Sequence, residues 1–244
     1  ALNSGSILDA SGNSASLTLA SPGAANSLGA NAALLVDGVL PTVTAVSSTS
    51  NNGSYKFDDT IPITITFSEA VTVSGTPQLT LETGLSDAVV NYTSGSGGST
   101  LTFNYTVLSG HNSSNLDYVS SSALSLNSGS IADAAGNNAT LTLVSPGATA
   151  SLGSNKSIVI DGIVPTISIV TSTSSDGNYS AGDVIPISIL FSESVTVSGT
   201  PQLTLETGSS DAVVNYTSGS GTPTLVFNYT VASGHTSSDL DYTS

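Results

Sequence analysis

The sequence predicts an all-β chain built as tandem two-layer antiparallel sandwiches. Three observations predict this: a gapless internal repeat of 124 residues, runs of strictly alternating apolar and polar residues, and turn clusters of Gly, Pro, Asn and Ser between those runs. Residues 125–244 repeat residues 1–120 without insertion. Leu2 returns as Leu126, Pro41 as Pro165, Glu69 as Glu193, His111 as His235 and Tyr118 as Tyr242. About two-thirds of the aligned positions are identical, and a long, gapless, domain-sized period marks an array in which one module is copied for length or multiplicity.

The strands follow in order. A first apolar run covers 42–47. Ile61, Ile63, Ile65 and Phe67 alternate with Pro62, Thr64, Thr66 and Ser68, the period-2 signature of a half-buried strand. Shorter runs at 71–74, 78–83 and 87–93 lead to a second clear alternation, Leu101, Phe103, Tyr105 and Val107 against Thr102, Asn104 and Thr106. The remaining candidates are 115–119, 124–131, 139–143 and 156–160. Asn52-Gly, Ser74-Gly-Thr-Pro, Thr83-Gly, Ser94-Gly-Ser-Gly and Ala135-Gly-Asn punctuate them. No window carries a sustained 3.6-residue period. Seven to nine short strands in about 120 residues indicate a two-sheet antiparallel sandwich.

Linkers stand at Val36-Asp-Gly-Val-Leu-Pro-Thr and Ile160-Asp-Gly-Ile-Val-Pro-Thr. Gly relieves the turn, and Pro fixes φ and blocks the ladder, so each reads as a short stiff joint. On this reading residues 1–36 are the tail of a preceding module, 37–160 a complete one and 161–244 most of a following one. The two end segments together make 120 residues, four short of the period. The main reading is an excerpt of a longer covalent array. The alternative is a chain whose copies complete one another by strand donation.

Charge narrows the function. Seventeen acidic residues stand against Lys56 and Lys156, with no Arg, for a net charge of −15. That excludes nucleic acid, which needs clustered Lys and Arg, and disfavours anionic membrane surfaces. No apolar run is long enough to insert directly into a membrane. The balance suits a self-repelling soluble chain or one that binds divalent cations. Cysteine is absent, so disulfide and thiolate chemistry are too.

The order Asp37-Gly-Val-Leu-Pro-Thr, Asp59-Thr-Ile-Pro-Ile-Thr-Ile-Thr-Phe-Ser-Glu69, Gly75-Thr-Pro-Gln-Leu-Thr-Leu-Glu82 and Asp133-Ala-Ala-Gly-Asn137 resembles the bacterial immunoglobulin-like and cadherin-like repeats of giant surface adhesins. The resemblance covers both copies. It implies tandem immunoglobulin-like β-sandwiches in an extracellular stalk at the bacterial cell surface, with calcium stiffening the junctions. The glycine- and aspartate-rich nonapeptide repeats of many such adhesins are missing from this sequence.

Calcium takes oxygen ligands, so Asp-rich junctions are the candidate sites. Strand parity puts the loop 51–60, with Asp58 and Asp59, at the same pole as the next linker, so Asp59 and Asp161 are expected to meet across a junction. Asp183 would serve the next one. Asp37, Glu69, Glu193, Asp9 and Asp133 are further candidate ligands. The competing reading is that these Asp residues only form turns.

Catalysis finds little support. His111 and His235 lie in Ser-Gly-His turns and read as solvated loop residues. The functional expectation is a structural stalk or fibre for cell adhesion, whose partners are neighbouring repeats or identical chains. Two alternatives stand beside it: a self-assembling filament subunit, and a weak multivalent module for cell-surface or environmental glycans, with Tyr55, Tyr92 and Tyr118 available for stacking.

Overall fold

A computed structural model describes residues 3–243. A single helical turn, α1 (Leu28–Asn31), precedes the first sandwich module. That module runs β1 (Val43–Ser48), β2 (Gly53–Lys56), β3 (Thr60–Ser74), β4 (Gln78–Glu82), β5 (Ala88–Ser94), β6 (Gly98–Thr106), β7 (Asn112–Ser113), β8 (Asp117–Tyr118), β9 (Leu124–Ser125), β10 (Ser130–Ala132), α2 (Leu152–Asn155) and β11 (Ile158–Asp161). The second copy supplies β12 (Ile167–Ser172), β13 (Val184–Val195), β14 (Gln202–Glu206), β15 (Ala212–Ser218), β16 (Thr222–Thr230) and β17 (Asp241–Tyr242).

The first module is a β-sandwich. Its strands follow the order β1-β3-β6-β5-β4-β8, and the path folds over at β5. Residues 88–91 of β5 pair β4, while Tyr92 and Ser94 pair β6 across a register shift. Ile61, Ile63, Ile65 and Phe67 on β3 and Leu101, Phe103 and Tyr105 on β6 turn inward with Leu79, Leu81 and Val90 of the other layer. Their alternation with threonine is what sends one face of each strand to the core and the other to water. A separate three-stranded sheet places β11 between β2, parallel, and β7, antiparallel.

Two expected strands, 61–67 and 71–74, are one continuous strand β3. Its register against β6 shifts between Thr66 and Val71, and its far end, Thr72–Ser74, pairs β10 instead. Such an irregularity bends a strand and re-aims its side chains. Glu69 lies inside it. The run expected at 139–143 forms no strand and makes one isolated bridge, Thr42 to Thr140. The region 124–131 is likewise reduced to the short β9 and β10. Two elements, β2 and α2, have no signal in the hydrophobic pattern. β2 is a strand only because β11, about a hundred residues later, pairs with it. α2 is one turn, too short to show a period, held by Ser151 whose Oγ accepts the Ser154 N–H at 3.2 Å.

The second copy repeats the path as β12-β13-β16-β15-β14-β17 with its own core of Ile185, Ile187, Ile189, Leu205, Phe227 and Tyr229. Residues 3–36 keep the local shape of 127–160, including α1 capped by Ser27, but their apolar side chains are mostly exposed.

Candidate metal centre and module junctions

The structure gathers three of the expected acidic residues. Carboxylate oxygens of Asp37, Glu69 and Asp133 lie within 4.8 Å of one another, the one such group of three among the described residues. Each arrives from a different element: Asp37 from the entry linker, Glu69 from the bend of β3, and Asp133 from the turn after β10. Asp133 is buried and is fixed by Asn137, whose N–H donates to Oδ1 and whose side-chain amide donates to Oδ2, both at 2.8 Å. The same Asn137 amide reaches the carbonyls of Asp37 (3.1 Å) and Val39 (3.3 Å), so it ties the linker to the module body. Asp37 Oδ1 accepts the Val39 N–H at 3.1 Å.

Three acids in this space repel one another. Burial, and then the negative charges of Asp37 and Asp133, push the Glu69 carboxyl above its ordinary value. Burial also pushes Asp133 up. The hydrogen bonds from the side chain and backbone of Asn137 and from the backbone of Ala135 and Gly136 outweigh that, and its net position is lowered. The chain's two lysines are elsewhere: Lys56 pairs with Asp59 at 3.7 Å, and Lys156 Nζ donates to the Ser50 carbonyl at 2.8 Å. Calcium takes about six to eight hard oxygen ligands, and these three carboxylates could supply part of such a set.

The other candidates serve their own turns. Asp58 holds a positive φ of 73°. Asp59 Oδ2 accepts the Lys56 N–H, and Asp183 repeats this with Ser180. Asp161 Oδ1 accepts the Ile163 N–H, as Asp37 does for Val39. Asp58, Asp59, Asp161 and Asp183 belong to no three-carboxylate group among the described residues. Glu193 is the repeat of Glu69, and its Oε1 is buried without a partner. Asp9 repeats Asp133 and holds Asn13 by the same pair of 2.8 Å bonds.

The exit linker is pinned by backbone. Gly162 N–H donates to the His111 carbonyl at 2.7 Å, and Gly110 N–H to the Gly162 carbonyl at 3.0 Å. A β-carbon on Gly162 would lie 2.3 Å from the Leu108 carbonyl oxygen, whereas one on the equivalent Gly38 meets nothing. Gly162→Ala is therefore expected to lower the denaturant midpoint of the module and Gly38→Ala to leave it unchanged. Equal effects would show that the linker glycine acts through the unfolded chain instead.

His111 is not a solvated loop residue. It is 6% exposed and stacks on Tyr105, because β6 carries the Tyr105 ring directly over the turn. Its Nδ1 accepts from the Tyr105 hydroxyl at 2.9 Å and the Leu108 N–H at 3.3 Å, which leaves the proton on Nε2. Burial lowers its pKa below 6.5. The neutral ring is thus the folded form. Its contribution is complete above pH 6.5 and is lost as the pH falls through that value toward the lower folded-state pKa. Denaturant midpoints at pH about 7.5 and about 5.5 are expected to differ, and the difference to shrink in His111→Gln. A signal for this pair was present in the sequence: Tyr105 and His111 recur, six residues apart, as Tyr229 and His235, again bonded at 2.8 Å.

The tyrosines considered for sugar stacking are engaged. Tyr118 is buried, donates to the Val144 carbonyl, and is pushed up to about 12 by burial and by the charge of Asp117. Tyr92 packs edge-on against Phe103, and its hydroxyl accepts the Ser96 N–H. Tyr55 donates to the Asn51 carbonyl.

Residues 37–146 match the family model of the bacterial Ig-like domain, starting on the first aspartate of the cluster. This module is a bacterial Ig-like domain. Domains of that family are typically found in bacterial surface or extracellular proteins, and the Ig-like fold is typically non-enzymatic. Among curated proteins, none matches the chain.

Proposed function

We propose that the chain is a segment of a long extracellular stalk on a bacterial cell surface, built from tandem bacterial Ig-like domains, that holds cells to one another or to a surface. The observation that carries this is the gapless recurrence of the domain together with linkers bonded to the module body at both ends. A copied, self-contained sandwich adds length without adding chemistry. Linkers held by Asn137 at the entry and by His111 and Gly110 at the exit restrict the angle at each joint. The high negative charge keeps neighbouring stalks apart.

Calcium at Asp37, Glu69 and Asp133 completes the reading. The cluster lies where the linker enters the domain, so an ion there would neutralise the acids and fasten Asp37 to β3 and to the 133–137 turn. A stalk stiffened this way softens when the ion is removed. Small-angle scattering of the 244-residue chain should give a larger and better-defined maximum dimension in calcium than in chelator. Superimposable profiles would remove the calcium joint. The surface location is tested separately: antibodies against the domain should label intact cells of the bacterium that makes it, and labelling only after permeabilisation would overturn the stalk.

A further inference from the structure

The turn from Leu108 to His111 serves two neighbours at once. On one side it closes around the buried His111 ring. The His111 N–H donates to the Leu108 carbonyl at 3.1 Å, and the Leu108 N–H donates back to the ring's Nδ1 at 3.3 Å. The Tyr105 hydroxyl shares that nitrogen at 2.9 Å. On the other side the turn seats the exit linker. Gly162 is buried there, with its N–H on the His111 carbonyl and its own carbonyl taking the Gly110 N–H. The Leu108 carbonyl stands too close to Gly162 to admit any side chain. One four-residue turn therefore carries both a titratable ring and the seat of the joint between modules. The turn recurs from Ala232 to His235 with the same backbone bond, the same bond to Nδ1 and the same tyrosine hydroxyl.

We propose that His111 is a pH switch for the exit joint: protonation of its ring opens the 108–111 turn and frees the linker at Gly162. The proton comes from solvent and settles on Nδ1, which changes from acceptor to donor. The Tyr105 hydroxyl can rotate and accept it. The Leu108 N–H is fixed by the backbone and is left facing another donor. The imidazolium also carries its charge in a buried place, which costs free energy. Opening the turn relieves both, and the two Gly162 bonds go with it. The charged groups on the surrounding elements have other partners or lie apart from the ring. Asp58 and Asp59, ahead of β3, bond Val107 through their backbone, and the Asp59 carboxylate pairs with Lys56. Glu82 and Asp87 flank the Thr83 carbonyl that accepts the Asn112 N–H, and the Glu82 carboxylate takes the Gly84 N–H. Asp161 holds the Ile163 N–H. The cause of the ring's lowered pKa is burial. A seated linker thus keeps the ring neutral, so the joint is fixed above pH 6.5 and loosens as the pH falls through the lowered folded-state value. By reciprocity, freeing the linker returns His111 toward 6.5. The use of such a switch, a stalk that softens in acid, rests on the stalk reading above.

The chain has no cysteine, so spin labels can be placed through Ser94→Cys and Ser218→Cys, exposed and equivalent positions in the two modules. Chelator is present throughout, so that the calcium joint plays no part. The distribution of distances between the labels should broaden as the pH falls from about 7.5 to about 5, with its midpoint at the His111 pKa read by NMR. His111→Gln does not titrate and should give the same distribution at both pH values, although His235 is still present. In Gly162→Ala the His111 pKa should rise toward 6.5 while that of His235 stays where it was. A distribution independent of pH in the labelled parent overturns the proposal. So does a pH dependence that persists in His111→Gln, or a His111 pKa that Gly162→Ala leaves unmoved. All of this is read on the purified chain, so it succeeds or fails separately from the cell labelling that tests the stalk.

Discussion

Leu152→Ala is expected to destabilise the complete module by about 2–5 kcal/mol, while Leu28→Ala leaves its unfolding unchanged. The two leucines occupy the same place in the repeat, each the first residue of a one-turn helix behind a serine cap. Leu152 is fully buried among the core side chains, so truncation removes its contacts and leaves a cavity that the surrounding sheets close only in part. Leu28 has no core to leave. Denaturant titrations followed by tyrosine fluorescence read the difference directly. Equal shifts would mean that residues 3–36 pack on the module.

Calcium is expected to stabilise the module, and Glu69→Gln to abolish that gain while raising the stability of the metal-free protein. The crossing of signs is the informative part. The folded state holds Glu69 with its pKa raised by burial and by Asp37 and Asp133, so the ionised carboxylate opposes folding above that raised value. Acidification or the neutral glutamine relieves this. A bound cation relieves it too, and adds about 2.7 kcal/mol when free calcium is a hundredfold above its dissociation constant. Because protons and the ion compete for Glu69, calcium affinity should fall as the pH drops through its raised pKa. Calorimetric titrations at two pH values, with melts of both proteins in calcium and in chelator, measure all of this. If Glu69→Gln lowers metal-free stability, the side chain contributes a hydrogen bond instead of a repulsion, and the cluster is only a set of turns.

Much of the fold was legible from single residues. The alternation of Ile61, Ile63, Ile65 and Phe67 with Pro62, Thr64, Thr66 and Ser68 located the core strand. The candidate site was legible only as a set of names. Asp37, Glu69 and Asp133 were among the acids singled out, but parity of strands put the emphasis on Asp59 and Asp161. What brings the three together is the bend of β3 after Phe67, which carries its end out of register with β6 and onto β10. A bulge has no period, so alternation cannot reveal it. His111 was misplaced for a related reason: a Ser-Gly-His turn looks solvent-facing until the strand beside it supplies a tyrosine to cover it.

Residues 3–36 and 127–160 separate the two kinds of information. The serine-capped turn and the Asp–Asn turn form in both, because their hydrogen bonds close within a few residues and need only the local sequence. Those features, the strand pattern and the 124-residue period were determined by the sequence by itself. Whether Leu28 or Leu152 is buried, whether β2 has a strand to pair with, and whether three carboxylates share one space were decided by tertiary structure alone. Each depends on partners thirty to more than a hundred residues away, and no local preference encodes their arrival.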